Sequence, residues 1–336
     1  MNILKDEILV TVVTRNNPAL LQHLFSSIEK YSAGYNYKII IADATSDNDL
    51  QLKILETLSK KHEIQIVFND RVECNYNRVW ERNKDYKHYF FLHDDMSVNR
   101  NDWLKVFVDR MNSGYSEKII ENTHLKSLPI GKVCLGNQPY RSYDSILGYP
   151  VQCIFLKHVL EVLRPGKVPQ IFKYCDGDRV LISNECMVAT DGFRHVGEFK
   201  DLKTINPDLY QRLCLVLNEH LRYNDEGMYP KLIYPPGECW NKFTLLGEFL
   251  NSIDPLLAGF RTIGLYGDGY LEQINGFDVP YQHRYIAHFG SPNVKQFIAK
   301  KLNSDQEEIK KCFNDKIFLM KCDRLIKEYI DTHIDC

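Results

Sequence analysis

The sequence predicts an α/β fold in which a sheet is flanked by helices, on three observations. Short runs that are apolar throughout, at residues 8–14, 37–43, 64–70 and 88–95, alternate with helical apolar spacings over the first hundred residues. Such runs, unlike half-polar alternating ones, belong to strands buried on both faces of a parallel sheet. Polar residues gather where each run stops, and open sheets of this kind hold ligands beyond the carboxyl ends of their strands.

"ILVTVVT" (8–14) is a β-branched run of the buried-strand type. The segment from Pro18 to Ile28 starts with proline, which is preorganised for a first helical turn, and continues with helical apolar spacing. "YKIIIAD" (37–43) repeats the strand pattern, "DLQLKILETLSKK" (49–61) is an amphipathic helix, and "IQIVFND" (64–70) is a third strand. A polar and aromatic helix, "CNYNRVWERNK" (74–84), precedes the fourth strand, "HYFFLHDD" (88–95). Beyond residue 100, "DWLKVFVDRM" (102–111) reads as a helix, "GKVCLGNQ" (131–138) as a strand, and "VQCIFLKHVLEVL" (151–163) as a strand running into a helix. From about residue 200 the character changes. A helical stretch leads to the turn "YPPGECW", then to glycine-rich 259–277 with "GLYGDG" as a turn, and then to one or two amphipathic helices over 296–330. Mixed lysine and glutamate on these last helices suit a docked or partner-binding face better than a membrane surface.

Composition bounds the function classes. The 336 residues carry a formal charge of −2, with 44% apolar and 26% charged residues, ordinary for a globular protein. That balance supplies no global attraction to a polyanion. The ten cysteines are scattered without a CxxC pair, which fits reduced thiols of a cytoplasmic protein. The first residues do not read as a signal peptide, and no apolar run reaches the ~18 residues of a membrane span.

The rim is where the chemistry is expected. Thr14, Arg15 and Asn16 follow the first strand, Asp43 ends the second, Asn69 and Asp70 the third, and Asp94 and Asp95 the fourth. A single aspartate at a strand end is usually a helix cap. Two adjacent ones repel, and a divalent cation between them and a substrate's phosphates compensates that charge, with hard oxygen ligands suiting magnesium or manganese.

With "TRNN" (14–17), "IADATS" (41–46) and "FLHDDM" (91–96) in this order, the N-terminal half resembles the family 2 glycosyltransferases of GT-A fold, whose usual motifs are "TYNR", "VDDGS" and "LDDD". The resemblance covers about residues 7–112, is weaker to about 200, and has no clear counterpart in the last third. It implies a mixed, nucleotide-sugar-binding sheet over residues 1–200, with a mainly helical, acceptor-side extension over 201–336. It also implies that Thr14, Arg15 and Asn16 line a nucleoside pocket, that Asp43 accepts from the base, and that Asn77 or Arg78 closes the pocket. Asp95 would be the main ligand of Mn²⁺ or Mg²⁺, and Asp94 would meet the ribose or the metal. Ala44 and His93 depart from the family's pattern.

Family members carry a catalytic carboxylate well past the metal motif. "DGDRVLISNECMVATDGF" (176–193) offers Asp178 first and Asp176 second, and "GDGYLEQINGF" offers Asp268 as a rival. Each is otherwise a turn aspartate beside glycine. A late histidine ligand is implied at His288 in "RYIAHFGSPN", with His195 a poorer match.

The implied activity is inverting transfer from a nucleoside-diphosphate sugar, a uridine one above all, to a hydroxyl acceptor such as a glycan. Two alternatives stay open: a modified DNA base as acceptor, which the net charge does not indicate, and a GT-A shell that binds without turnover. A nucleotidyltransferase would need a lysine-bearing glycine-rich loop near residues 14–20, and there is none. GxxxxGK[ST], GxSxG and HExxH motifs are also missing. The sequence leaves the oligomeric state open.

Overall fold

In the computed structural model the described residues are 8–67, 72–113, 127–136, 138–141, 171–174, 179–192, 254–256, 258–266, 271–274, 277–280, 285–289, 298–299, 302–313, 315–322, and the single positions 208, 211 and 324. Strands β1 (Ile8–Thr14), β2 (Tyr37–Asp43), β3 (Glu63–Ile66) and β4 (His88–His93) alternate with helices α1 (Pro18–Lys30), α2 (Asp49–Leu58) and α3 (Val72–Arg82). The short β5 (Met96–Val98) and helix α4 (Lys105–Asn112) follow. Then come β6 (Ile130–Gly136), β7 (Gln138–Arg141), β8 (Ile171–Tyr174), β9 (Val180–Ser183) and α5 (Asn184–Thr190). The last third contributes β10 (Arg261–Tyr266), β11 (Leu271–Ile274), β12 (Phe277–Pro280), β13 (Ile286–His288) and α6 (Gln306–Cys312).

Seven strands form one sheet in the order β10-β6-β9-β4-β1-β2-β3. β1 is parallel to β2 and β4, β2 to β3, and β10 to β6, while β9 runs antiparallel to both β4 and β6. The sheet is therefore mixed, as the resemblance implied, and only its β4-β1-β2-β3 half is the purely parallel sheet that the strand runs by themselves suggested.

All seven residues of β1 are buried, because both faces are covered. Ile8, Val10 and Val12 share a core with Leu21, Leu24 and Phe25 of α1 and Phe107 of α4, whereas Leu9 and Val13 share the opposite one with Tyr76, Val79 and Trp80 of α3 and Met187 of α5. This is the period-two alternation of a strand in a three-layer sandwich. A smaller core joins Ala19 and Leu20 of α1 to Phe289, Ile298, Ile309, Phe313 and Leu319, docking these late residues on α1.

Helix α2 starts where Asn48 accepts from the backbone N–H groups of Leu50 and Gln51, at 3.0 and 3.1 Å. Helix α1 starts differently: its Asn17 makes no side-chain cap, and Pro18 removes one N–H that would need a partner.

Several boundaries differ from the sequence reading. α4 begins at Lys105 instead of 102, and β3 ends at Ile66, with residues 68–70 outside the described set. β10 enters the main sheet with Gly264, Leu265 and Tyr266, so this part of the glycine-rich segment is strand and not turn. β5 and β13 form a two-stranded antiparallel ribbon that the sequence reading did not contain. Among the described residues, no helix is long and apolar enough to cross a membrane.

α5 ends on Asp191 and Gly192, both in the left-handed region at φ 54° and 67°. A Cβ on Gly192 would lie 2.5 Å from Asn77 Oδ1 and 3.2 Å from the Trp80 ring. The glycine thus permits both the helix end and its close approach to α3. Gly192→Ala is expected to destabilise the protein by about 1–3 kcal/mol, read as a lower urea midpoint at unchanged slope; an unchanged midpoint would show that α3 and α5 can separate freely.

Candidate functional site

The rim is built at the carboxyl ends of β1, β2 and β4. Parallel register sets Thr14 beside Asp43 and Val13 beside His93. Asp43 is buried, and its carboxylate accepts from Ser46 Oγ at 2.5 Å and from the Ser46 N–H at 3.2 Å. Asn16, at φ 51°, spans the two strand ends: its Oδ1 accepts from the N–H groups of Asp47 and Asn48 at 3.0 and 3.1 Å, and its own N–H donates to Ser46 Oγ at 3.2 Å. Thr45 is also left-handed, at φ 57°, and donates its hydroxyl to the Val67 carbonyl at 2.9 Å. A β-branched residue in that region is strained by about 1–3 kcal/mol, and such strain gathers at ligand-binding turns.

The two adjacent aspartates point to different tasks. Asp94 is 6% exposed, and its carboxylate accepts from Thr14 Oγ1 at 2.8 Å, Asn17 Nδ2 at 3.1 Å and the Arg15 N–H at 3.3 Å. Thr14 Oγ1 in turn accepts from Nε2 of Gln51 at 2.8 Å, a side chain with no exposure at all. The end of β4, the β1 loop, the start of α1 and the first turn of α2 are thereby tied together. Burial, and secondarily the Asp95 carboxylate, raises the Asp94 carboxyl to about 6, although the bonds from Thr14 and Asn17 favour its ionised form.

Asp95 is half-buried and faces the other way. Its Oδ2 lies 3.1 Å from His288 Nε2, a contact across 193 residues of sequence. β13 makes this contact by pairing with β5 so that His288 stands opposite Met96, while the Phe289 N–H donates to the Asp95 carbonyl at 2.9 Å. His93, the last residue of β4, completes a group in which one ligand atom each of His93, Asp95 and His288 lie within 4.8 Å of one another. Among the described residues, this is the one such group able to hold a metal ion. The donors fit a divalent ion: ligands about 2.0–2.2 Å from one ion stand roughly 3–4 Å from each other. All three side chains are half-buried, which leaves access for a substrate's own oxygens.

Of the residues named from sequence, Thr14, Arg15, Asn16 and Asp43 meet at one end of this rim, and Asp95 and His288 at the other, with Asp94 between them. Arg15 is exposed. Asn77 packs its amide against Gly192, and Arg78 donates to Asn75 Oδ1 at 3.0 Å. Asp176, Asp178, Asp268, His195, Asn69 and Asp70 lie outside the described residues. Next in the chain to Asp178, Arg179 is buried and left-handed at φ 50°, and its N–H donates to the Phe91 carbonyl at 2.8 Å.

Gln51, Asn17 and His93 belong to this arrangement without having been named as site residues. Gln51 has a legible signal: it lies one turn before buried Leu55 on α2, on the apolar face, where an amide needs a reason to be. His93 was set aside as a departure from a motif, although a histidine one residue from a carboxylate pair is itself a ligand signal.

No protein-family model matches the chain, and no curated protein matches it. Among solved structures, S. aureus TarS 1–349 in complex with UDP-GlcNAc is 14% identical with a TM-score of 0.33, over 55% of this chain and 47% of that one. S. aureus TarS is 12% identical with a TM-score of 0.41, over 98% of this chain and 44% of that one. A third, TarS 1–349, is 11% identical with a TM-score of 0.36, over 75% and 86%. The chain spans less than half the length of the first two. Likenesses of this size bear on no residue or activity of this chain.

The raised Asp94 carboxyl makes the stability of the metal-free protein depend on pH. Its folded value lies above the ordinary 3.8, so its contribution is present in full below about 3.8 and is lost as the pH rises through about 6. In the metal-free protein this loss is expected to be on the order of 2–3 kcal/mol. Asp94→Asn should flatten the urea midpoint between pH 4 and 6; an unchanged profile in that variant would assign the dependence to other groups.

Proposed function

We propose that this chain is a metal-dependent, inverting glycosyltransferase related to family 2, taking a sugar from a uridine diphosphate donor to a hydroxyl of a glycan. One observation carries the reading. The polar ends of β1 and β2, with Thr14, Asn16 and Asp43, adjoin the end of β4 that leads into the His93, Asp95 and His288 group, so that a polar cluster and a candidate cation group share a single rim.

On this reading Thr14, Arg15, Asn16 and Asp43 hold the nucleoside, with Asn77 and Arg78 at its margin. Asp94 keeps the β1 loop in place from beneath, through Thr14, Arg15 and Asn17. Asp95 and His288 hold the divalent ion, Mn²⁺ or Mg²⁺. When bound, such an ion acts as a Lewis acid towards the charge that develops on a diphosphate leaving group.

Inversion requires a base on the face opposite the diphosphate, taking the proton of the acceptor hydroxyl. Asp178 is the first candidate, Asp176 the second and Asp268 the rival. Support for Asp178 comes from its neighbour Arg179, which is bonded to the Phe91 carbonyl two residues before His93. The division at residue 200 into a catalytic part and an acceptor-side extension belongs to the same proposal, with β10 and β13 of the second part returning to the sheet and rim of the first, as does a cytoplasmic location.

Asp95→Ala is expected to abolish Mn²⁺-dependent hydrolysis and transfer of UDP-sugars, with a melting temperature close to the parent's. Unchanged turnover in that variant would remove the central claim, and specific UDP binding without turnover on any acceptor would favour a binding protein.

Asp178→Asn is expected to cut transfer by about 10²–10⁴-fold with UDP affinity nearly unchanged. If Asp268→Asn does so instead, the base lies in the glycine-rich segment. A product that retains the donor's anomeric configuration would reject both.

A further inference from the structure

We infer that His93 is the third protein ligand of the rim's metal centre and that, through it, the centre selects a borderline transition metal over magnesium. This rests on the metal-centre reading above and goes beyond it by assigning the donor set and its preference.

The first argument is which carboxylate is left for the metal. Paired aspartates at a strand end suggest an oxygen-rich site, the surroundings that magnesium prefers. Asp94 is turned away from that role: it is buried and accepts from Thr14, Arg15 and Asn17. The carboxylate that remains is Asp95, and the ligand atoms gathered around it come from two histidines. Two imidazole nitrogens and one oxygen suit Mn²⁺, Co²⁺ and Zn²⁺, whereas Mg²⁺ seeks oxygen donors and dehydrates reluctantly.

The second argument is that His93 is held in place. Its ring stacks on Tyr76 at 6.0 Å and 22°, and Tyr76 is fully buried against Phe91 at 4.4 Å. The His288 ring meets it edge-on at 5.9 Å and 86°. The backbone N–H of His93 donates to Met96 Sδ at 3.5 Å, and Met96 stands opposite His288 in the β5–β13 ladder. His93 is thus carried by the end of β4 in the main sheet and His288 by the end of β13 in the adjoining ribbon. A ring placed in this way costs little further ordering when it takes a ligand.

The third argument is chemical complementarity around Asp95. His288 Nε2 and Asp95 Oδ2 stand 3.1 Å apart, the spacing of two donors that share one ion. The three protein donors leave coordination positions open for oxygens of a diphosphate.

The test uses Mn²⁺ binding to the full chain without donor, read by electron paramagnetic resonance of the free ion, with Mg²⁺, Co²⁺ and Zn²⁺ as competitors. The parent is expected to need on the order of a hundredfold or greater excess of Mg²⁺ to release Mn²⁺, whereas Co²⁺ and Zn²⁺ compete at comparable or lower concentration. His93→Phe keeps a ring against Tyr76 and removes both nitrogens; it should weaken Mn²⁺ binding by about tenfold or more. His93→Asp supplies oxygen instead and should narrow the preference over Mg²⁺. Pulsed spectroscopy of the Mn²⁺-loaded parent, which needs no variant to fold, should show two bound imidazoles.

One imidazole only, or Mn²⁺ binding in His93→Phe equal to the parent while Asp95→Asn loses it, overturns the assignment of His93 and leaves the metal centre standing. Equal competition by Mg²⁺ overturns the selectivity. No Mn²⁺ binding by the parent overturns the metal centre and this inference together.

Discussion

The buried carboxylate of Asp94 is the interaction on which the rim depends. Taking a carboxylate out of water is costly unless hydrogen bonds replace its hydration, and here Thr14, Asn17 and the Arg15 N–H supply them. The bonds do not cancel the burial, since the carboxyl remains raised to about 6. A lone buried acid is a poor way to stabilise a core. Its return is positional: one side chain joins the end of β4 to the β1 loop and to the residue preceding α1, and through Thr14 it reaches Gln51 on α2. With Asp94 committed inward, Asp95 in the turn that follows β4 is left on the open side.

The second constraint is the β5–β13 ribbon. Three residue pairs, Ile286 with Val98, Ala287 with Ser97 and His288 with Met96, carry a segment from the last third of the chain to the rim beside Asp95. Ser27 Oγ accepts from the Val98 N–H at 3.0 Å, so α1 buttresses the ribbon from below. The small core around Phe289, Phe313 and Leu319 seals the same region against Ala19 and Leu20. Pairing across such a sequence distance closes a long loop, an entropic cost that the local pairing of β1 with β2 carries to a smaller degree.

Legibility in the sequence follows burial and length. β1, β2 and β4 were readable because each is an apolar run whose central residues are covered on both faces, which leaves no polar alternation to confuse with a helix. β5 and β13, of three residues each, are too short for a period to show. β9 hides behind an acidic segment, and β10 carries Gly264, a residue that weakens a strand pattern. That Asp43, Asp94 and Asp95 would gather on one rim was legible from their place at strand ends, and that His288 would join them from its family-like segment. His93 was visible but discounted, because a motif comparison asks which aspartate is missing rather than what the replacement can ligate. Gln51 could not be linked to Thr14 before the fold was known, since nothing in a sequence states which residue an inward amide will meet.

The two halves of the rim are supported by different kinds of bond, and this sets what each can do. At the His93, Asp95 and His288 group, His93 ends a central strand, His288 ends a ribbon strand, and backbone bonds from Phe289 to Asp95 and from Asn99 to Tyr285 hold the turn between them. Around Asp43, the loop after β2 is held largely by side chains: Asn16 to the N–H groups of Asp47 and Asn48, Ser46 to Asp43, and Thr45 to Val67. Side-chain bonds at exposed positions open more easily than a paired ladder does. Asn16 and Thr45 are also left-handed, a conformation that relaxes once those bonds let go. The rim therefore sets strand-borne residues at its His93, Asp95 and His288 end against a loop held by side chains around Asp43, and on the proposed reading a donor that bridged both would have its diphosphate at the first and its base at the second.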